Sequence, residues 1–532
     1  MAQEFKLKDV TSLQMKNGEK KEAEVEGIEG GKVLLLKVQD QVHATSPNCT
    51  HYGAPLVKGV LTPEGRLTCP WHGACFKVST GDVEDAPALD PIDKYEVIEK
   101  DGAVYVKTTE EALKAKRRHL NLKCSSVSDD KVLVIGGGSG TLGAIEGLRG
   151  GGYTGKITVI SKEGYQPIDR TKLSKALLAD ISKLAWRPKD FYKDGSIDMI
   201  EDEAKSIDFS GKKVSTKSGK EYEYTKLVLA TGGTPRWLPL EGLKGDLGNV
   251  FLLRTLPDAQ NILQAVGDNG KKIVVIGSSF IGMETVVPME RVMGKKVGAI
   301  FQGLLEKNGV KFKMSAGVDK ATPSAADGSK VGAVHLKDGS VLEADLVIEG
   351  VGVAPATEYL KGNSSITLLK DGSLKTDESF AVEGLSDVYA IGDIATYPYH
   401  GPGGNGSLVR IEHWNVAQNA GRSVANTINR PGSKAKPFIP VFWSALGSQL
   451  RYCGNTMASG YDDVVVQGEL EKPSFVAYYT QGETVVAVAS MMKDPYMTQA
   501  AELMRRNKMP SKSELQKGVD ILEISLPSEV KI

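Results

Sequence analysis

Two short clusters, Cys49-Thr50-His51 and Cys69-Pro70-Trp71-His72, separated by the 17 residues from Tyr52 to Thr68, constrain this chain more than any other feature. Each supplies one thiol and one imidazole, so the fold that carries them must bring two loops together around metal. Two Cys and two His can hold a tetrahedral zinc, but zinc fingers place both cysteines in one cluster and both histidines in the other. One Cys and one His per loop suits a two-iron centre, in which two thiolates hold one iron and two neutral imidazoles the other. Gly53 and Gly73 follow the clusters, where a chain wrapped around a bulky ligand needs tight turns.

The stretches C-T-H-Y-G-A at Cys49 to Ala54 and C-P-W-H-G-A-C-F at Cys69 to Phe76 resemble the ligand loops of Rieske ferredoxins. The expected metal ligands are therefore Cys49, His51, Cys69 and His72. Rieske subunits of respiratory complexes carry a further cysteine in each loop, paired as a disulfide. Ala54 and Trp71 stand at those places here, so the resemblance implies the disulfide-free branch, toward the lower end of the Rieske potential range. Cys75 is then expected to be a small buried residue and not a ligand. Val33 to Val38 and Val104 to Lys107 are apolar or alternating runs between turn-rich segments, so residues 1–108 are expected to form a small all-β domain.

A chain of 532 residues needs more than one core, about three to five domains. Lys+Arg and Asp+Glu balance at 66 each, so no global field draws it to nucleic acid or anionic lipid, and any protein partner must be recognised locally. No run of about 18 apolar residues could span a bilayer. Met1 to Lys6 has neither an apolar signal core nor the Arg-rich character of a transit peptide, which makes the cytoplasm the default address and the mitochondrion the alternative. Five cysteines are too few for a disulfide framework. Residues 109–129 hold Lys114, Lys116, Arg117, Arg118, His119 and Lys123 among few apolar side chains, and read as a solvated linker or short helix.

After this linker, Lys131-Val-Leu-Val-Ile135 runs directly into Gly136-Gly-Gly-Ser-Gly-Thr-Leu-Gly143. A strand, a Gly-rich turn and a helix make an anion site from backbone N–H groups at the helix N-terminus. The string Gly138 to Gly143 matches G-x-G-x-x-G literally, but the register beginning at Gly136 is preferred, because the turn must begin where the strand ends. Glu163 lies after the next strand, Lys156 to Ile160, about where a ribose partner is expected, an ordinary surface glutamate being the competing reading.

Pro167-Ile-Asp-Arg-Thr-Lys-Leu-Ser-Lys175 is close to P-Y-D-R-P-x-L-S-K, a signature of the FAD domain of apoptosis-inducing-factor-like and oxygenase-coupled ferredoxin reductases. Leu227-Val-Leu-Ala-Thr-Gly-Gly233 and Asp387-Val-Tyr-Ala-Ile-Gly-Asp393 are similar to two further signatures. The resemblance implies that Arg170 contacts the FAD phosphates or adenine, that Lys175 sits near the reactive edge of the flavin, and that Asp393 bonds the ribityl chain. Glu412, His413 and Trp414 fall in a segment whose His and Trp pack by the flavin, a core Trp being the alternative. Gly136, Gly138, Ser139 and Gly140 at the first turn, and Ser161 and Lys162 at the next strand end, join the expected cofactor-binding set. So do Ala204, Ala230, Thr231, Gly232, Arg254 and Trp443.

A second apolar strand, Lys272 to Ile276, enters Gly277-Ser-Ser-Phe-Ile-Gly-Met-Glu284, which in the family opens the NAD(P)H fold. Gly277, Gly282, Glu284 and, at the closing strand, Gly352 are expected there, with Glu284 pairing Lys175. A cation beside the flavin stabilises negative charge on the reduced ring, and a carboxylate holds the cation in place, so these two are the expected catalytic residues. Ser279 replaces the second glycine of the fingerprint. Pro288 comes too early for a full helix, and no second strand with its acid is found before the helical spacing of Val297, Ile300, Phe301, Leu304 and Leu305. Against the family, about 15 to 25 residues are missing between Glu284 and Pro288.

The chain thus reads as multidomain. The expectation is an all-β Rieske domain (1–108), a linker (109–129), an α/β Rossmann-like FAD domain (130–252 and 376–435), a second, shortened α/β NAD(P)H domain (253–375), and an α+β C-terminal domain (436–532). No Cys pair suits a disulfide reductase, and none is spare for a siroheme. The expected function is an NAD(P)H-dependent FAD oxidoreductase that passes electrons to its own [2Fe-2S] cluster and on to an unknown external acceptor. The rival is a slow redox-sensing or apoptosis-related flavoprotein; a homodimer is left open.

Overall fold

The computed structural model describes residues 2–120, 122, 124, 128–175, 177–267, 270–277, 290–436, 438–444, 448–470, 472, 474–528 and 530. At 290–293, 295, 296 and 301 only the backbone is described.

The N-terminal region is two antiparallel sheets, one of six strands and one of four. The run Val33-Leu34-Leu35-Leu36 explains itself: all four side chains are fully buried, because this strand lies between two cores. Leu34 and Leu36 face the core that contains Cys49 and Cys69, whereas Val33 and Leu35 face the one built on Tyr95 and Val104. A strand covered on both faces is apolar throughout instead of alternating. The four-stranded sheet includes Arg66–Thr68 and Cys75–Lys77, which lead into and out of the second cysteine-histidine loop.

The next region is doubly wound. Strand β1 (Ser128–Ile135) lies at the centre of a five-stranded parallel sheet with β2 (Gly155–Ser161) beside it. Helix α1 (Ser139–Gly150) follows β1 after a turn of three residues, Gly136 to Gly138, and packs along α4 (Trp414–Asn429). Glycine makes that approach close: a Cβ on Gly143 would stand 2.1 Å from the Gln418 carbonyl oxygen, and one on Gly421 would stand 2.1 Å from that of Gly140. Between α1 and α4 in the chain come the short helix α2 (Thr171–Lys175) and an inserted region. There β3 (Ile273–Ile276) and β4 (Leu346–Glu349) pair in a three-stranded parallel sheet, with α3 (Glu290–Glu306) between them in sequence.

Helix α3 meets the expectation drawn from Val297 and its neighbours, with a non-helical residue at Gly294. The described strand that follows it, Val318–Pro323, belongs to an antiparallel meander and not to the parallel sheet. Among the described residues, then, no strand between α3 and β4 joins the second nucleotide sheet. Val297 is fully buried with Leu450, Phe475 and Tyr479, so α3 docks on the C-terminal region.

That region is a five-stranded antiparallel sheet that begins with β5 (Val441–Ser444) and carries a helix, Tyr496–Arg505, on one face. No helix among the described residues is long and apolar enough to cross a membrane.

Candidate functional site

The two cysteine-histidine loops are built alike. Cys49 N–H donates to the Ala54 carbonyl (2.8 Å) and Gly53 N–H to that of Cys49 (2.9 Å); Cys69 N–H donates to Ala74 (2.7 Å) and Gly73 N–H to Cys69 (3.3 Å). Gly53 and Gly73 take φ of 77° and 73°, left-handed values that suit glycine in these turns. The loops face each other so that their side chains meet in like pairs. The His51 and His72 Nδ1 atoms are 3.1 Å apart. The Cys69 sulfur beside it, and then burial, hold the Cys49 thiol well above its usual range.

Burial, with the Lys172 ammonium adding to it, lowers His51 to about 3, and burial with neighbouring His51 takes His72 lower still. Both imidazoles are therefore neutral, the form a metal ligand requires. Among the described residues no three His, Cys, Asp or Glu side chains gather as ligands of a single ion. A [2Fe-2S] cluster asks for two protein atoms per iron, and a sulfur pair beside a nitrogen pair fits it. Cys75 is fully buried in its strand with the thiol pushed up to about 12 by burial, an inert small side chain.

A cavity opens at the N-terminus of α1. Gly138, Ser139, Gly140, Arg170 and Lys175 line it, and Ala230, Gly232 and Arg254 continue the wall. Asp393, Glu412, His413, Trp414 and Trp443 complete the expected residues found there. The glycines divide their tasks. Gly136 turns at φ 115° where a Cβ would stand 2.2 Å from the Ala230 carbonyl, and Gly138 has nothing within 4 Å of a Cβ, which leaves room for a ligand at the helix N-terminus. The close helix packing falls to Gly143, so the register that starts at Gly136 sets the turn and the one that ends at Gly143 sets the packing.

Positive charge is fixed around the cavity. Arg254 bonds the Asp393 carboxylate (2.7 Å), Arg170 donates to the Arg254 carbonyl (2.8 Å), and Arg170 also pairs with Glu163. Glu163 is thus a partner of Arg170. His413 is half-buried, its Nδ1 is buried and unpartnered, and desolvation and then Lys175 lower its pKa to about 3. These features fit an anionic dinucleotide with an aromatic ring system.

Several expected residues stand apart from the cavity. Ser161 lines a second hollow at the ends of β2 and Ile197–Glu201, Ala204 is buried in the core, and Lys162 lines neither. Thr231 donates to the Ala356 carbonyl (2.8 Å) just behind the wall. Gly277 repeats the geometry of Gly136 in the second sheet, with φ 124° and a Cβ position 2.4 Å from the Gly350 carbonyl, and Gly352 lies beyond it at φ 101°. Gly282 and Glu284 lie outside the described residues. Phe442 lines the cavity without having been expected, since it stands in no motif, and so does Ile391, although it falls within the Asp387 to Asp393 signature.

The cysteine-histidine loops and the cavity share a wall. Trp443, at β5, lies 4.2 Å from the His72 ring centroid and 5.8 Å from that of His51. It also meets Trp414 at 5.3 Å and His413 at 5.7 Å. Polar contacts fix the loops there. The Tyr52 hydroxyl donates to buried Asp169 (2.8 Å), and Arg187 binds Asp90 (2.6 Å) on the loop side and Glu146 (2.8 Å) on α1. On the C-terminal side Arg66 pairs with Glu84, Asp85 and Glu502, Lys436 with Asp85, and Arg506 with Glu502 and Glu64.

Three family models match the chain: a Rieske [2Fe-2S] domain over 5–96, a pyridine nucleotide-disulphide oxidoreductase over 130–421, and a reductase C-terminal domain over 441–522. Apoptosis-inducing factor 3 of Mus musculus is 37% identical, covering 94% of this chain and 84% of that protein. Putidaredoxin reductase CamA of Pseudomonas putida is 31% identical, over 71% of this chain and 92% of its own. Among solved structures, the covalent putidaredoxin reductase-putidaredoxin complex superposes with a TM-score of 0.67 at 29% identity, covering 74% of this chain and 98% of that one.

Proposed function

The chain belongs to the pyridine nucleotide-disulphide oxidoreductase family, fused to a Rieske domain, and we propose that it passes electrons from flavin to its own cluster and then to an external acceptor. It is a flavoprotein oxidoreductase whose cofactors are FAD and a [2Fe-2S] cluster and whose nucleotide is NAD(P)H. Held in this cavity, FAD would supply the exchange between a hydride's two electrons and a one-electron centre.

One observation carries the route: Trp443 lines the cavity and lies 4.2 Å from His72. The chain's own residues prepare it. Gly138 and the α1 N-terminus receive phosphate, Arg254 with Asp393 orders the middle of the dinucleotide, and Lys175 places positive charge at the cavity. Trp414, Trp443 and Phe442 exclude water between flavin and cluster. Lys175 and Glu284 are proposed as the catalytic pair.

The acceptor is proposed as a separate one-electron carrier. Putidaredoxin reductase, a relative, is known in a complex with putidaredoxin, which supports an acceptor of protein type. The test is cluster reduction by NADH or NADPH under anaerobic conditions in wild type and in Trp443→Leu. Flavin bleaching at the wild-type rate with slowed cluster reduction in the variant supports the route; equal cluster rates contradict it.

A further inference from the structure

Trp186 belongs to none of the motifs that define the site, and it does not line the flavin cavity. It follows the helical turn Ile181–Leu184, yet its ring stacks on Trp414 at 5.5 Å and 26° and stands 6.2 Å from the His51 centroid. Trp414 is itself 6.2 Å from His51 and does line the cavity. The Trp186 Nε1 is buried without a hydrogen-bond partner. A buried indole N–H ordinarily finds one, so as a space-filler this side chain is a poor choice. What holds the ring is aromatic contact, with the Lys172 ammonium 6.0 Å from its centroid.

The two histidines differ in how they meet the flavin side. His72 has close contact with Trp443 at 4.2 Å, whereas His51 reaches the same wall only at 5.8 to 6.2 Å. Trp186 stands beside both, stacked on Trp414 at 5.5 Å and 6.2 Å from the His51 centroid, as far as Trp414 itself.

We propose that Trp186 is a positioning residue for electron entry through His51: it holds Trp414 against this ligand, so that both histidines of the cluster are coupled to the flavin cavity. The proposal rests on the intramolecular route above. One electron leaves reduced flavin and one ferric iron becomes ferrous; Trp186 exchanges neither proton nor bond.

The experiment uses the holoprotein as wild type, Trp186→Leu and Trp186→Phe. Flavin is reduced by light with EDTA as the donor, which bypasses the nicotinamide site, and the cluster is followed by freeze-quench EPR. The leucine variant is expected to slow cluster reduction several-fold and the phenylalanine variant to restore most of the rate. Dithionite-reduced g values, midpoint potential and FAD content should be those of wild type in both. A wild-type rate in the leucine variant overturns the proposal, as does a phenylalanine variant equally slow, or altered g values in both, which would assign the ring to the shape of the cluster loop. A wild-type cluster that stays oxidised beside reduced flavin overturns the intramolecular route itself, an outcome read without either variant.

Discussion

Cys49, His51, Cys69 and His72 owe their arrangement to two short loops with matching hydrogen bonds, and each loop contributes to both pairs. Cys69→Ser should therefore abolish the cluster's EPR signal while leaving the flavin absorbance intact, because no residue of the cavity wall is changed; joint loss of both would contradict the separation. A second prediction concerns pH. Glu349 ends β4, accepts from Leu238 N–H at 2.8 Å, and keeps its other oxygen buried without a partner. Burial lifts its carboxyl from 4.5 to about 7, the Leu238 N–H opposing. In that window the folded state holds a proton that the unfolded chain has released, so stability falls as pH rises from about 4.5 to about 7. Glu349→Gln keeps the acceptor and removes the charge. It should stabilise the protein above about pH 7 by about 1–2 kcal/mol and change little near pH 4, as read by calorimetry. The ligand loops were legible in the sequence because their chemistry depends on residue type and spacing. Trp186 and Phe442 were not, since their contribution is contact across domains and leaves no local pattern.

Helix packing decides how the flavin site holds its shape. Gly143→Ala would place a Cβ 2.1 Å from the Gln418 carbonyl, so α1 and α4 must separate. That should cost about 1–3 kcal/mol and weaken FAD retention on a desalting column, since α1 presents Gly138 to the ligand. Gly303 in α3 has nothing within 4 Å of a Cβ, and Gly303→Ala should instead stabilise by about 0.5–1 kcal/mol. Apolar runs announced β1, β3 and the strand around Leu34, and the helical spacing near Val297 announced α3. What that spacing could not show is where α3 goes: its buried face rests on the C-terminal sheet beside Leu450 and Phe475, a partner about 150 residues away in the chain.

Across the whole molecule, buried ion pairs hold the Rieske region against two neighbours at once. Arg66, 9% exposed at its side chain, serves Glu84, Asp85 and Glu502, of which the last is 3% exposed. Arg66→Leu leaves three carboxylates short of a cation and should cost about 3–5 kcal/mol, with loss of the cluster's fixed place beside the cavity. Reduction should leave the small-angle scattering profile of the wild-type protein unchanged, because cluster and cavity already share the Trp443 wall; a measurable expansion would require the domains to part. The central claim is that electrons cross this wall within one chain. The most direct measurement is anaerobic freeze-quench EPR of the cluster after mixing with NADH or NADPH, at several protein concentrations and saturating nucleotide. The account predicts flavin bleaching followed by cluster reduction at a rate independent of protein concentration, whereas a rate that rises in proportion to concentration, or a cluster that stays oxidised beside bleached flavin, would contradict it.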